Sequence, residues 1–174
     1  MISIRRQFVG QTVVYNHVGR HRLMADDTLN VRFGTLSHGW LRITFSLSSA
    51  DILVDASDVP VDPIGQLVSL SRFLLSSDLG SRDAEFSLEP EYAILTATKS
   101  DDPSAADFRL VQYGQKQSQA GLSRLTTATQ IWRAVRGIES KTLAAINDEQ
   151  WSWDFPTTQM EMLASEIEAA KASQ

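Results

Sequence analysis

One stretch of the chain, residues 57–98, carries most of the local signals that constrain its fold. Asp62 followed by Pro63 predicts the start of a helix, because aspartate caps free backbone N–H groups and proline at the first helical position loses no hydrogen bond. Apolar residues then recur at helical spacing up to Leu75. The segment therefore predicts one amphipathic, mostly buried helix that ends within residues 76–80, where a glycine suits a stop.

Strands are predicted directly after this helix. Residues 84–88 and 92–98 are rich in strand-forming residues, and only residues 89–91, Glu-Pro-Glu, separate them. So short a loop predicts an antiparallel hairpin with its proline confined to the turn. Residues 108–113 predict a third strand, which makes a meander. Residues 114–121 are polar with a glycine at each end and predict an exposed loop.

The first fifty residues also indicate strands. Residues 2–9, 12–15 and 29–33 are β-rich, and Trp40–Leu47 alternates apolar with polar residues at every second position. The segment 34–39 separates the last two of these strands. Alternation of this kind predicts a strand with one buried face and one exposed face.

Towards the end of the chain the apolar period changes from two to between three and four. Residues 126–138 predict a helix, residues 143–151 a short helical turn, and residues 157–170 a last helix capped by Thr157 or Thr158.

The whole pattern predicts an α+β fold. An antiparallel sheet, made of N-terminal strands plus a meander, packs with one central helix and with C-terminal helices. Since the chain has no internal repeat and no long linker, it predicts a single domain over residues 1–174.

Composition excludes several classes of chemistry. The absence of cysteine rules out disulfides and thiolate sites. No apolar run approaches the roughly 18 residues that span a bilayer, and no secretion signal stands at the N-terminus. The sequence therefore predicts a cytoplasmic protein with no membrane partner.

Charge is unevenly distributed along the chain. Residues 1–50 hold six arginines and two aspartates, whereas the remainder holds ten basic and nineteen acidic residues. Two interpretations stay open: the asymmetry steers an oppositely charged partner, or the two parts neutralise each other within the fold. A sequence pI near 5.1 argues against nucleic-acid binding.

No set of reactive residues forms a catalytic signature. His17 and His21 have the spacing of helical metal ligands, but the glycine between them and their strand-like neighbours predict an exposed turn. Glu85 and Glu89 would lie ~13 Å apart on a strand, too far for paired carboxylates. A nucleophile elbow and a phosphate-binding loop are also missing. The sequence thus predicts no metal, no cofactor and no enzymatic activity.

Four short motifs follow one another in the order of the predicted elements: Asp62-Pro63 with Leu67 and Leu70, Glu89-Pro90-Glu91-Tyr92, Trp132-Arg133-Ala134-Val135, and Trp151 with Phe155-Pro156. In these motifs residues 57–170 resemble a class of small uncharacterised bacterial α+β proteins that accompany polymorphic or contact-dependent toxins as immunity proteins. Where those proteins typically carry tryptophan before the Glu-Pro turn, this chain has Phe86. The resemblance implies a non-enzymatic protein that binds and neutralises a cognate toxin.

Acidic turns and an aromatic segment are the candidate partner-binding residues. An acidic surface suits a basic protein partner such as a toxin domain, and tryptophan is favoured at the centre of interfaces. The candidates are Glu89, Glu91, Asp101, Asp102, Trp151 and Trp153. The aromatic residues have a second interpretation, in which they pack the last helix against the sheet.

Two other functions stay open at this point. A small enzyme or ligand-binding protein would use a pocket between sheet and C-terminal helices, with polar groups from Tyr92, Tyr113, Arg109 or His38. A self-assembling subunit of a secretion or phage-like particle is the third possibility. The sequence specifies neither the oligomeric state nor the partner.

Overall fold

The computed structural model describes residues 28–148 and 150–173, so the predictions for residues 2–9 and 12–15 and for His17 and His21 lie outside the described residues. Seven strands and three helices follow one another along the described chain. Their bounds are β1 Asn30–Ser37, β2 Trp40–Leu47, β3 Ala50–Ser57, α1 Pro63–Leu75, β4 Ser81–Ser87, β5 Tyr92–Lys99, β6 Ala105–Gln112, β7 Gln115–Ser123, α2 Arg124–Asn147 and α3 Thr157–Ala172.

All seven strands are antiparallel and lie side by side in their order along the chain, which confirms the predicted α+β fold. One junction is much weaker than the others. β3 pairs with β4 only at Ser57 opposite Ser87, whereas every other neighbouring pair is joined at six or more positions. We therefore describe the sheet as an N-terminal ladder, β1–β3, and a C-terminal ladder, β4–β7.

The core lies between the inner faces of the two ladders and the helices. Phe45 of β2 and Phe86 of β4 meet there with ring centroids 5.4 Å apart. Helix α2 packs on α1 and β1, and α3 packs on α1 and α2. Arg72 of α1 and Glu166 of α3 form an ion pair at 2.7 Å that joins these two helices.

Helix α1 begins where the sequence predicts. The carboxylate of Asp62 accepts hydrogen bonds from the N–H groups of Ile64 and Gly65, each at 2.9 Å, and Pro63 is the first helical residue. Two cations lie at its other end. Lys99 Nζ donates to the carbonyl of Ser76 at 2.7 Å, and Arg124 Nε donates to that of Leu74 at 2.6 Å. Positive charge at the C-terminus of a helix stabilises the helix, because the dipole gives that end a partial negative charge.

The predicted loop at residues 114–121 is wrong, because this segment belongs to strand β7. Tyr113 and Gly114, at φ of 50° and 72°, form a two-residue turn that returns the chain onto β6. Only Leu122 of β7 is buried, because β7 is an edge strand held mainly by backbone hydrogen bonds. Its sequence therefore lacks the apolar alternation from which a strand is predicted.

Strand β3 was not predicted, and the predicted separator at residues 34–39 is too long. β1 continues to Ser37 through a bulge between Phe33 and Leu36, and only His38 and Gly39 form the turn. The sequence does not predict β3, because Asp51 and Asp55 occupy two positions of its exposed face and aspartate is depleted from strands.

The C-terminal helices are longer than predicted. α2 absorbs the first part of the helical turn predicted at residues 143–151, since it continues to Asn147. α3 has Pro156 at its N-cap and no side-chain cap, so the predicted capping by Thr157 or Thr158 is wrong. Thr157 is already the first helical residue, one position too late to cap.

Candidate protein-binding surface

A single row of paired residues crosses the junction between the two ladders. Trp40 lies opposite Ser57, Ser57 opposite Ser87, and Ser87 opposite Tyr92. Residues directly opposite one another in an antiparallel sheet share a face. The row therefore places two large aromatic residues on the outer face, one in each ladder.

These two aromatic residues flank a polar centre. Trp40 is 39% exposed and Tyr92 is 41% exposed, while Ser57 and Ser87 between them are buried. Three steps between neighbouring strands, each about 4.8 Å, separate the two aromatic backbones by about 14 Å. The hydroxyl of Ser57 donates a hydrogen bond to the carboxylate of Glu89, which draws that carboxylate towards the centre of the row.

Asp58, directly after β3, fastens the segment before α3 to the same end of the sheet. This residue is only 5% exposed, and its carboxylate accepts the N–H of Ser152 at 2.6 Å. Its backbone carbonyl accepts the indole N–H of Trp153, and its own N–H donates to the carbonyl of Gly39 at 2.8 Å. The N–H of Gly39 in turn donates to the carbonyl of Gln150 at 2.8 Å. Trp153 is thus held by one edge of its ring and left 39% exposed.

The turn between β4 and β5 adds negative charge that is not neutralised locally. Glu89 and Glu91 are both exposed, and in the part of the chain that the structure describes neither forms an ion pair. We call the combination the acidic–aromatic patch. It consists of Trp40, Glu89, Glu91, Tyr92 and Trp153.

The structure does not bring all the predicted partner-binding residues together: the two pairs of acids lie in different turns, and one of the two tryptophans is buried. Asp101 and Asp102 lie in the turn after β5, while Glu89 and Glu91 lie in the turn before it. Eight residues of extended strand place these turns about 24 Å apart. Trp151 is buried in the core, as in the packing interpretation, so of the predicted tryptophans only Trp153 reaches the surface.

Asp102 has a local role of its own. Its carboxylate accepts the hydroxyl of Ser104 at 2.7 Å and the N–H of Ser104 at 2.8 Å. Both bonds favour the charged form and lower the pKa of Asp102 below its ordinary value. The aspartate therefore stabilises its own turn.

Two arginines of the N-terminal ladder are neutralised within that ladder. Arg32 of β1 pairs with Asp51, and Arg42 of β2 pairs with Asp55, both at 2.7 Å. The hydrogen bond from Arg42 is the largest cause of a lowered pKa of Asp55. For Asp51 the hydroxyl of Ser46 is the first cause of the lowered pKa. For these arginines, neutralisation within the fold is the correct interpretation of the charge asymmetry.

The residues predicted to surround a pocket do not converge. Arg109 lies on the outer face of β6 opposite Thr96, His38 lies in the first turn of the other ladder, and Tyr113 lies in the turn before β7. All of them belong to the outer face of the sheet or to its turns, whereas the helices cover its inner face.

A cavity of about 510 Å³ does lie between α1 and the segment before α3, but other residues line it, among them Asp62, Val68, Arg72, Trp153 and Gln159. Burial raises the pKa of Asp62, the carboxyl that caps α1. Its oxygens are already hydrogen-bonded to the N–H groups of Ile64 and Gly65, so this carboxylate serves the helix.

Other site types receive no support from the described chain. Within residues 28–148 and 150–173, no three histidine, aspartate or glutamate side chains come together as metal ligands would. Among the helices of these residues, none has both the length and the apolar character needed to cross a membrane. Comparison with protein families, with characterised proteins and with solved structures found no match to the chain.

Proposed function

We propose that this protein is a non-enzymatic protein-binding module that uses the acidic–aromatic patch to bind a basic surface of a partner protein. One observation carries the proposal: three partly exposed aromatic residues, and two acids without ion pairs in the described chain, lie at the same end of the sheet. Aromatic residues supply most of the binding energy at interfaces, and uncompensated charge steers and selects the partner.

The partner class follows from the resemblance to immunity proteins. A basic toxin domain is the occupant that the patch suits, since the two glutamates next to Tyr92 offer charge, and Tyr92 and Trp153 offer apolar area at the same end of the sheet. In this proposal the protein acts in the cytoplasm by masking the toxin, and neither a membrane nor a nucleic acid is its partner.

Capture experiments with charge-matched variants test the proposal. The tagged wild-type protein, the variant Glu89→Gln/Glu91→Gln and the variant Asp101→Asn/Asp102→Asn are each used to capture partners from the native host at low salt, followed by mass spectrometry. We expect the wild type and the second variant to recover the same basic protein and the first variant to lose it. Recovery of no stable partner by the wild type, or of the same partner by all three, would overturn the proposal.

A further inference from the structure

Strand β3 pairs with β2 along one edge, whereas on its other edge only Ser57 pairs with a strand within residues 28–148 and 150–173. We call the part of this second edge that precedes Ser57 the free edge. The turn between β2 and β3 has two residues, Ser48 and Ser49, with φ of 49° and 70°, the geometry of a tight hairpin turn. In such a hairpin the residues flanking the turn, Leu47 and Ala50, exchange backbone hydrogen bonds, and the bonded pairs then alternate. The backbone groups of Asp51, Leu53 and Asp55 consequently point away from β2.

Two contacts at the end of β3 have the same alternation. Ser57, which is two residues beyond Asp55, pairs with Ser87 on the side away from β2. This is the side that the alternation predicts for Leu53, Asp55 and Ser57. Asp58 donates its N–H to the carbonyl of Gly39, on the side of β2. Because β4 meets β3 only at Ser57, the N–H and C=O groups of Asp51, Leu53 and Asp55 have no strand partner in residues 28–148 and 150–173.

Open space lies beside the first half of this free edge. A cavity of about 330 Å³ is bordered by Ala50–Leu53 of β3 on one side and by the end of β6 and the start of β7 on the other. Leu110 and the glutamines Gln112, Gln115 and Gln117 line that second side. Amide side chains can hydrogen-bond to an added backbone, so the groove suits an extended peptide.

The outer face of β3 specifies which side chains an added strand needs. Asp51, Leu53 and Asp55 alternate along this face, and Leu53 is 57% exposed. The two arginines that pair with the aspartates approach from β1 and β2, behind the edge. Opposite charges and apolar pairs are favoured directly across a ladder. A basic residue opposite Asp51 or Asp55 would share a carboxylate that already pairs with Arg32 or Arg42, so the apolar contact with Leu53 is the main side-chain contribution. A complementary strand therefore carries an apolar residue opposite Leu53, with a basic residue two positions away on either side.

The edge of β7, the last strand of the C-terminal ladder, is partly covered. The hydroxyl of Ser48 donates to the carbonyl of Ser118 on β7 at 2.9 Å, and the N–H of Ser48 donates to the side chain of Gln119 at 2.7 Å. The turn between β2 and β3 thus occupies the edge of β7 at its middle. Covering an edge in this way prevents strand addition there.

We propose that the free edge of β3 is a strand-addition site, at which an extended segment of the partner protein becomes a fourth, antiparallel strand of the N-terminal ladder with alternating basic, apolar and basic side chains. This inference rests on the proposed protein-binding function, because β3 ends at Ser57, whose hydroxyl is bonded to Glu89 of the acidic–aromatic patch. One partner can therefore reach the patch and the edge together. Backbone hydrogen bonds provide affinity in this mode of recognition, and alternate side chains provide specificity.

Amide hydrogen exchange measured by NMR tests the site without the natural partner. In the free protein, the amides of Asp51, Leu53 and Asp55 should exchange rapidly while those of Ile52 and Val54 stay protected. The probe is a seven-residue peptide with capped ends and the sequence Thr-Arg-Thr-Val-Thr-Arg-Thr. Its binding should slow exchange of the three free amides at least tenfold. The same peptide, N-methylated on the amides that would bond to β3, should not bind.

Two variants with the same added charge locate the effect. Leu53→Lys should weaken peptide binding at least tenfold, and Thr44→Lys, which lies opposite Leu53 on β2, should change it less than threefold. Protection of the three amides in the free protein, equal binding of both peptides, or equal effects of both variants would overturn strand addition. Partner capture that is lost in Glu89→Gln/Glu91→Gln but retained in Leu53→Lys would refute the strand site alone. Peptide binding without any captured partner would refute the proposed function instead.

Discussion

Removal of the Asp58 carboxylate is the perturbation whose effect on stability the structure specifies best. This carboxylate is buried and accepts the N–H of Ser152 at 2.6 Å, a bond between a charged acceptor and a backbone donor. Asp58→Ala leaves that N–H without its acceptor, which costs about 1–3 kcal/mol. We expect the free energy of unfolding to fall by about 2 kcal/mol, which lowers the Tm by about 4–8 °C in a chain of this size.

Urea denaturation followed by tryptophan fluorescence measures this loss, with Asp58→Asn as the matched control. Asparagine keeps an acceptor oxygen at the same place, so its loss should stay below about 1 kcal/mol. The backbone carbonyl of residue 58, which accepts the indole N–H of Trp153, is kept in the alanine variant. Loss of the bond to the neighbouring Ser152 should nevertheless loosen the segment that carries Trp153 and shift tryptophan emission to longer wavelength. Equal stability of Asp58→Ala and the wild type, or equal losses in both variants, would refute this account of the segment before α3.

Three further stability predictions follow from local contacts. Asp62→Ala should lower the free energy of unfolding by about 1 kcal/mol through loss of the helix cap, and Asp62→Asn should not, as chemical denaturation would show. Ser49→Gly should raise the Tm, because a non-glycine residue at φ of 70° costs about 1–2 kcal/mol; an unchanged or lower Tm would contradict this. The pKa of Asp55 is lowered in the folded state, so its contribution is present above about pH 4 and is lost as the pH falls further. Asp55→Asn should therefore flatten the acid limb of a plot of Tm against pH, and an unchanged limb would count against the ion pair with Arg42.

The sequence predicts those parts of the fold that are determined by residues adjacent in the chain. Asp62 and Pro63 start α1 as predicted, and residues 89–91 form the predicted turn. β3 and β7 could not be recognised in the same way. Strand alternation requires a buried face, and β7 is an edge strand with one buried residue, while β3 places aspartates at alternate exposed positions.

The candidate site could be predicted only in part for a related reason. Glu89, Glu91 and Trp153 were predicted, but Trp40 and Asp58 join them only through the pairing of Ser57 with Ser87 and through bonds across more than 90 residues. Local sequence patterns contain no signal for such contacts. The separation of Asp101 from Glu91 was accessible from the sequence, because turns that precede and follow one strand lie at its opposite ends.

The central claim is that one acidic turn, and not negative charge in general, binds the partner. Isothermal titration calorimetry of the captured partner with Glu89→Gln/Glu91→Gln and with Asp101→Asn/Asp102→Asn tests it directly, because both variants remove two negative charges from turns at opposite ends of β5. We predict that the first variant raises the Kd at least tenfold, about 1.4 kcal/mol, and that the second changes it less than threefold. Equal changes in the Kd of the two variants, or a larger change in the second, would contradict the claim.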